Sequence, residues 1–170
     1  MPKLEPPRPD DAPRLWEIAR DSGVLDVNSP YSYALWCRDF AQTSVVARAD
    51  GADDADVSGF VTGYVRPDDP RTLFVWQVAV DSEARGRGLA GRMLGHLGDR
   101  LTGLGCGYVE ATVTPDNIAS TRMFESFARS YDARLERHEL FGAEAFPDEV
   151  DHEPEVLFRI GPVRAASTVR

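Results

Sequence analysis

The stretch Val78-Ala79-Val80-Asp81-Ser82-Glu83-Ala84-Arg85-Gly86-Arg87-Gly88-Leu89-Ala90 leaves an apolar strand, crosses a turn rich in glycine and arginine, and enters a helix. Leu73 to Val80 is apolar on both alternations except at Gln77, the pattern of a strand buried on both faces near a sheet centre. Downstream, Leu89, Met93, Leu94, Leu97, Leu101 and Leu104 recur at helical spacing, with Gly103 and Gly105 placed to end the helix. A helix entered this way offers unpaired amides and a partial positive charge at its start, and glycines allow phosphate oxygens to reach those amides. With Arg85 and Arg87 beside Gly86 and Gly88, the turn has the chemistry of a pyrophosphate cradle. Its spacing is neither Gly-x-Gly-x-x-Gly nor Gly-x-x-x-x-Gly-Lys-Ser/Thr, so the dinucleotide and P-loop readings lack their defining residues.

Working outward, Asp10 and Asp11 precede Pro13, Leu15, Ile18 and Ala19, a first helix that Gly23 can close. A second helix is expected over about Ser32 to Ala41. Val45 to Ala47 and Val57 to Val65 read as a strand pair joined by the acidic turn Asp50 to Asp56. After the central helix come a strand at Tyr108 to Thr114, a helix at Asn117 to Ala128, and strands at Ala133 to Leu140 and Glu155 to Ile160. The order is that of an α/β protein with a mixed sheet of six or seven strands and about four helices. Gly91, Gly95 and Gly98 each weaken the central helix by roughly 1 kcal/mol relative to Ala, which implies close packing there. A single domain is expected over residues 9–161, with an N-terminal extension at 1–8 and a flexible tail at 162–170.

The chain carries 19 basic and 28 acidic residues, a formal charge of −9, which argues against nucleic acid or an anionic membrane as a partner. The tight basic cluster, Arg85, Arg87 and Arg92, lies where an anionic ligand is wanted. No apolar run is long enough to span a bilayer, and Met1 to Arg8 does not read as a secretory signal, so a cytoplasmic location is expected. Cys37 and Cys106 stand in separate segments without metal-ligand spacing and read as reduced core thiols. No metal site is expected.

The run Arg85-x-x-Gly88-x-Ala90 resembles the pyrophosphate loop of the Gcn5-related N-acetyltransferases, whose order of elements matches the one above. A second signature follows in Thr114-Pro115-Asp116-Asn117-Ile118-Ala119-Ser120 and Met123-Phe124. The resemblance implies that family's fold and acetyl-CoA as co-substrate. It places Val78, Val80, Arg85, Gly86, Arg87, Gly88, Leu89, Ala90, Asn117, Ser120 and Phe124 against the coenzyme, with Asn117 and Ser120 facing its pantetheine arm. An amide near Val78 would polarise the thioester carbonyl, and the amine would attack directly in a ternary complex. The family often places a Tyr where this chain has Phe124, so the group protonating the departing thiolate stays open between Tyr31, another Tyr and solvent.

Three more segments narrow the resemblance: Leu25-Asp26-Val27-Asn28-Ser29-Pro30-Tyr31, Leu73-Phe74-Val75-Trp76-Gln77 and His152-Glu153-Pro154-Glu155. They are similar to a branch of that family acting on a small diamino acid, L-2,4-diaminobutyrate, at its 4-amino group, as a homodimer. An alkylammonium is almost wholly protonated at pH 7 and must lose a proton before it attacks. Glu110, Asp26, His152 and Glu155 are the candidate acceptors. Asp26, Asn28, Tyr31, Trp76, Glu110, His152 and Glu155 are the expected substrate contacts, with Glu155 on an ammonium and Trp76 on the same strand face as Val78. Trp76 and Phe124 are expected to exclude longer acyl chains by bulk. The residues alone leave open another small amine, a polyamine, an aminoglycoside or a protein N-terminus as acceptor, and a non-enzymatic acyl-CoA sensor.

Overall fold

The computed structural model describes residues 1–49 and 56–164; the turn expected at Asp50 to Asp56 lies outside the described residues except for Asp56. The elements run β1 (Lys3–Glu5), α1 (Ala12–Ser22), α2 (Pro30–Asp39), β2 (Val45–Arg48), β3 (Val57–Arg66), β4 (Asp69–Val80), α3 (Leu89–Thr102), β5 (Tyr108–Val113), α4 (Ile118–Ser130), β6 (Arg134–Phe141) and β7 (Glu155–Gly161). They form one seven-stranded sheet in the order β1-β2-β3-β4-β5-β7-β6. The β4–β5 pair is parallel and the rest are antiparallel, so the sheet is mixed, as expected.

Two apolar clusters hold the layers together. The leucine stripe of α3 packs with Phe124 and Phe127 of α4 against Val61, Leu73, Val75, Val109 and Ile160. On the other face, Leu15, Ile18 and Ala19 of α1 and Tyr33 and Cys37 of α2 cover Val46, Phe60 and Ala79. Burying side chains of this size stabilises the fold by about 1.5–3 kcal/mol each. Burial also pushes the Cys37 thiol up to about 12, so it remains an inert thiol in this core.

Several boundaries differ from expectation for local reasons. Ser29 caps α2, its hydroxyl accepting the Ser32 amide at 3.3 Å, so that helix begins two residues early, at Pro30. α3 stops at Thr102 and leaves Leu104 66% exposed, outside the stripe assigned to it. Lys3–Glu5, assigned to an extension, pairs with β2, so the sheet begins before residue 9. Val163, assigned to the tail, is buried and donates its amide to Gly107 at 2.7 Å. Of the three α3 glycines, only Gly98 is in close packing: an added Cβ would stand 2.9 Å from the Tyr131 hydroxyl and 3.0 Å from Phe127, whereas Gly91 and Gly95 face open space.

The departure that matters for function lies in β4. Gln77 pairs with Thr62 but Val75 pairs with Gly63, so Trp76 is an extra residue on β4 and the alternation inverts there. Before the bulge Leu73 and Val75 face α3; beyond it Val78 and Val80 do. Trp76 instead stacks on Trp36 of α2, ring centroids 6.2 Å apart. The expectation that Trp76 shares a face with Val78 is therefore wrong, because strand alternation does not survive a bulge.

Candidate active site

The parallel strands β4 and β5 pair only from Thr72–Val75 to Tyr108–Ala111. Beyond that point they diverge, and β4 continues five residues to Val80 without a β5 partner. Two cavities open at this end of the sheet.

The larger, about 480 Å³, is lined by Val78, Ala79 and Val80 on the strand, by Arg85, Gly86, Gly88, Leu89 and Ala90 of the following loop, and by Asn117, Ser120 and Met123 of α4. Gly86 and Gly88 have φ of 75° and 69°, a conformation that glycine adopts without strain. No side chain caps α3, and its first amide bond runs from Arg92 to the Gly88 carbonyl at 3.1 Å. The amides of the turn before it are left for an anion. The Arg85 guanidinium folds back to donate to the Val80 carbonyl at 3.1 Å. Asn117 caps α4, its side-chain oxygen accepting the Ser120 amide at 3.0 Å. Open glycines, uncapped amides and a cation fit the pyrophosphate of a coenzyme A.

Two expected coenzyme contacts fall elsewhere. Phe124 is 3% exposed and packs edge-on to Phe158, centroids 6.3 Å apart, inside the core; Met123 faces the cavity instead. Phe124 therefore cannot gauge the acyl chain. Arg87 lines a neighbouring cavity of about 490 Å³ together with Arg14 and Arg92.

The second cavity, about 300 Å³, shares Val24, Leu25 and Asn117 with the first. Its walls include Asp26, Trp76, Gln77, Thr112, Asp116, Asp151, His152 and Glu155. The loop after β6 brings His152 to its mouth, where the imidazole stacks on Phe146 with centroids 3.8 Å apart. The Nδ1 atom lies 2.6 Å from the Glu153 carbonyl, which can only accept, so Nδ1 carries the hydrogen. In the neutral ring Nε2 then holds the lone pair, and it points between Asp26 at 3.9 Å and Glu155 at 3.8 Å. A proton acceptor flanked by two carboxylates is suited to receive an alkylammonium. Among the described residues no cluster of three His, Cys, Asp or Glu is placed to hold a metal ion.

Three expected site residues are not brought to this cavity. Glu110 is 3% exposed, in ion pairs with Arg159 of β7 and, at 3.2 Å, Arg66 of β3. Its carboxylate is committed to two guanidiniums below the point where the strands diverge. Tyr31 is 71% exposed on the first turn of α2 and lines neither cavity. Asn28 lines neither cavity. Conversely, Gln77, Thr112, Met123 and Phe146 line or support the site without a role expected from sequence, although Gln77 and Met123 stand in the segments that carry the resemblance. Gln77 carried a signal, as the one polar residue in an otherwise apolar central strand; Phe146, in a loop without pattern, carried none.

Comparison with known proteins agrees with this geometry. The model of the Acetyltransferase (GNAT) family matches residues 12–128. The chain is 57% identical over 165 residues to the L-2,4-diaminobutyric acid acetyltransferase of Streptomyces coelicolor, covering 96% of this chain and 94% of that protein. It is 43% identical over 157 residues to the protein of the same name from Halalkalibacterium halodurans, covering 92% and 80%. Among solved structures, the diaminobutyrate acetyltransferase of Paenibacillus lautus, in complex with its substrate L-2,4-diaminobutyric acid and coenzyme A, superposes with a TM-score of 0.88 at 40% identity over 96% of each chain. The NatC complex bound to Gag peptide and CoA superposes with a TM-score of 0.74 at 15% identity, over 95% of this chain and 98% of that one, a likeness of fold alone.

Proposed function

The chain belongs to the GNAT acetyltransferase family, and on that premise we infer that its reaction is acetyl transfer from acetyl-CoA to L-2,4-diaminobutyrate, with the 4-amino group as acceptor. The observation that carries this reading is the meeting of two cavities of opposite character at Val24, Leu25 and Asn117: a glycine and arginine cradle on one side, an acidic cleft on the other.

Acetyl-CoA, when bound, supplies the thioester that the amine attacks. The chain's own residues do the rest. Cradle amides and Arg85 hold the phosphates, and a main-chain amide at Val78, on the strand edge freed by the β4–β5 divergence, polarises the carbonyl, an effect that can reach about 3 kcal/mol. Asp26 and Glu155 hold the diamino acid through its ammonium groups, each charge-assisted bond stronger than a neutral one. His152 Nε2 takes the proton from the attacking nitrogen. Holding both reactants at one junction replaces a bimolecular encounter, and that supplies much of the remaining acceleration. None of the expected tyrosines faces the junction, so the departing thiolate takes its proton from solvent or from the His152 imidazolium.

We also propose a place in ectoine biosynthesis under osmotic stress, in the cytoplasm, as a homodimer. Exposed Leu140 and Phe141 on the edge strand β6 are apolar surface that a second copy would cover. The acceptor position is tested by NMR of the product. The reading predicts an acetyl group on N4 alone; acetylation of N2 would overturn the assignment of the two carboxylates.

A further inference from the structure

The loop that carries Asp26 lacks regular structure between α1 and α2, and the Asp26 side chain is 94% exposed. A carboxylate so exposed is held in place only through its backbone, and the backbone here is tied down from below. The Gln77 side chain, 6% exposed on β4, donates from Nε2 to the Asp26 carbonyl at 2.8 Å. Its Oε1 accepts from the Tyr33 hydroxyl at 3.0 Å. Tyr33 is 1% exposed and packs edge-on to Phe60 in the cluster beneath α1 and α2.

The direction of this chain follows from chemistry. A backbone carbonyl only accepts, so the amide nitrogen of Gln77 must face Asp26 and its oxygen must face Tyr33. Tyr33 must then donate. Burial pushes the Tyr33 phenol above its usual value, so the hydroxyl keeps the proton that it donates. The loop is therefore anchored at residue 26 by one buried hub.

We propose that Tyr33 and Gln77 are positioning residues for the amine substrate: through the Asp26 carbonyl they hold the exposed Asp26 carboxylate opposite His152. The bulge at Trp76 serves the same end, because it turns Gln77 from the α3 side of β4 to the side where Tyr33 and the loop lie. This inference rests on the reading of the acidic cleft as the diaminobutyrate site.

Two variants test it. Tyr33→Phe keeps the ring in the core and removes the donor; Gln77→Glu keeps shape and sets a carboxylate oxygen against the Asp26 carbonyl. Each is expected to raise KM for diaminobutyrate roughly tenfold, the loss of about one buried hydrogen bond, with KM for acetyl-CoA within about twofold of wild type. Hydrogen–deuterium exchange should accelerate over residues 24–29 and stay unchanged over α3 and α4, a pattern that general destabilisation would not produce. Gln77→Asn, which keeps both donor and acceptor on a shorter arm, should fall between wild type and Gln77→Glu. Unchanged KM for diaminobutyrate in a folded Tyr33→Phe enzyme, or faster exchange spread over the whole chain, overturns the proposal. Failure of the underlying reading would look different: wild type itself would not turn over diaminobutyrate.

Discussion

Asp26 and Glu155 are proposed to hold the amine and Arg85 the coenzyme, and single substitutions separate these roles. Asp26→Ala and Glu155→Ala are each expected to raise KM for diaminobutyrate by at least about tenfold, a loss of roughly 1.4 kcal/mol or more, and to leave coenzyme affinity near wild type. Arg85→Ala should do the reverse, weakening coenzyme A in a titration while sparing the amine. Equal losses of both ligands would contradict the assignment. At this scale the cradle was legible in sequence because phosphate binding uses consecutive amides and side chains. His152 and Glu155, singled out through the resemblance of their segment, both line the cleft. Glu110 misled because its partners Arg66 and Arg159 stand 44 and 49 residues away in sequence, and nothing local marks a carboxylate as already paired. Phe124 misled because one residue along a helix turns a side chain by about 100°, enough to exchange it with Met123 at the cavity.

The elements were legible where an apolar period is long, as in α3 and β4, and less so where hydrogen bonds set the ends. The bulge in β4 left no mark in an apolar run and appears only when β3 supplies the register. The α3 glycines show the limit of composition: three look alike in sequence, yet one packs and two do not. Gly95→Ala, with nothing within 4 Å of the new methyl, should stabilise the protein by about 0.5–1 kcal/mol. Gly98→Ala should destabilise it by about 1–3 kcal/mol, because the methyl meets Tyr131 and Phe127 where α3 crosses α4. Urea denaturation of both variants checks the pair; equal shifts in the same direction would contradict the packing described.

For the whole molecule, β1 closes one edge of the sheet through charges as well as strand pairing. Arg48, almost fully buried, reaches Glu5 of β1 and pairs with Asp11, just ahead of α1, at 2.8 Å. Hydrogen bonds from Lys3 and Arg48 hold the Glu5 carboxyl down at about 2, against an ordinary value of 4.5. A carboxylate depressed in the folded state stabilises it above the unfolded value, and that contribution is lost as pH falls through the folded one. The thermal midpoint should therefore drop as pH is lowered from about 4.5 toward 2, and Glu5→Gln should lower the midpoint above that window and flatten the slope within it. An unaltered slope in Glu5→Gln would assign the acid sensitivity to other groups. This tie was not legible in sequence, because Lys3 and Glu5 read as a polar extension until β2 is placed beside them.

Two cavities meet at one junction, and each is proposed to take a different substrate. The most direct test is thiol release from acetyl-CoA with L-2,4-diaminobutyrate, ornithine, lysine, spermidine and an aminoglycoside compared at equal concentration. The expected result is a strong preference for diaminobutyrate, the short diamino acid proposed to lie between Asp26, Glu155 and His152. Equal or better turnover of a longer amine would contradict it.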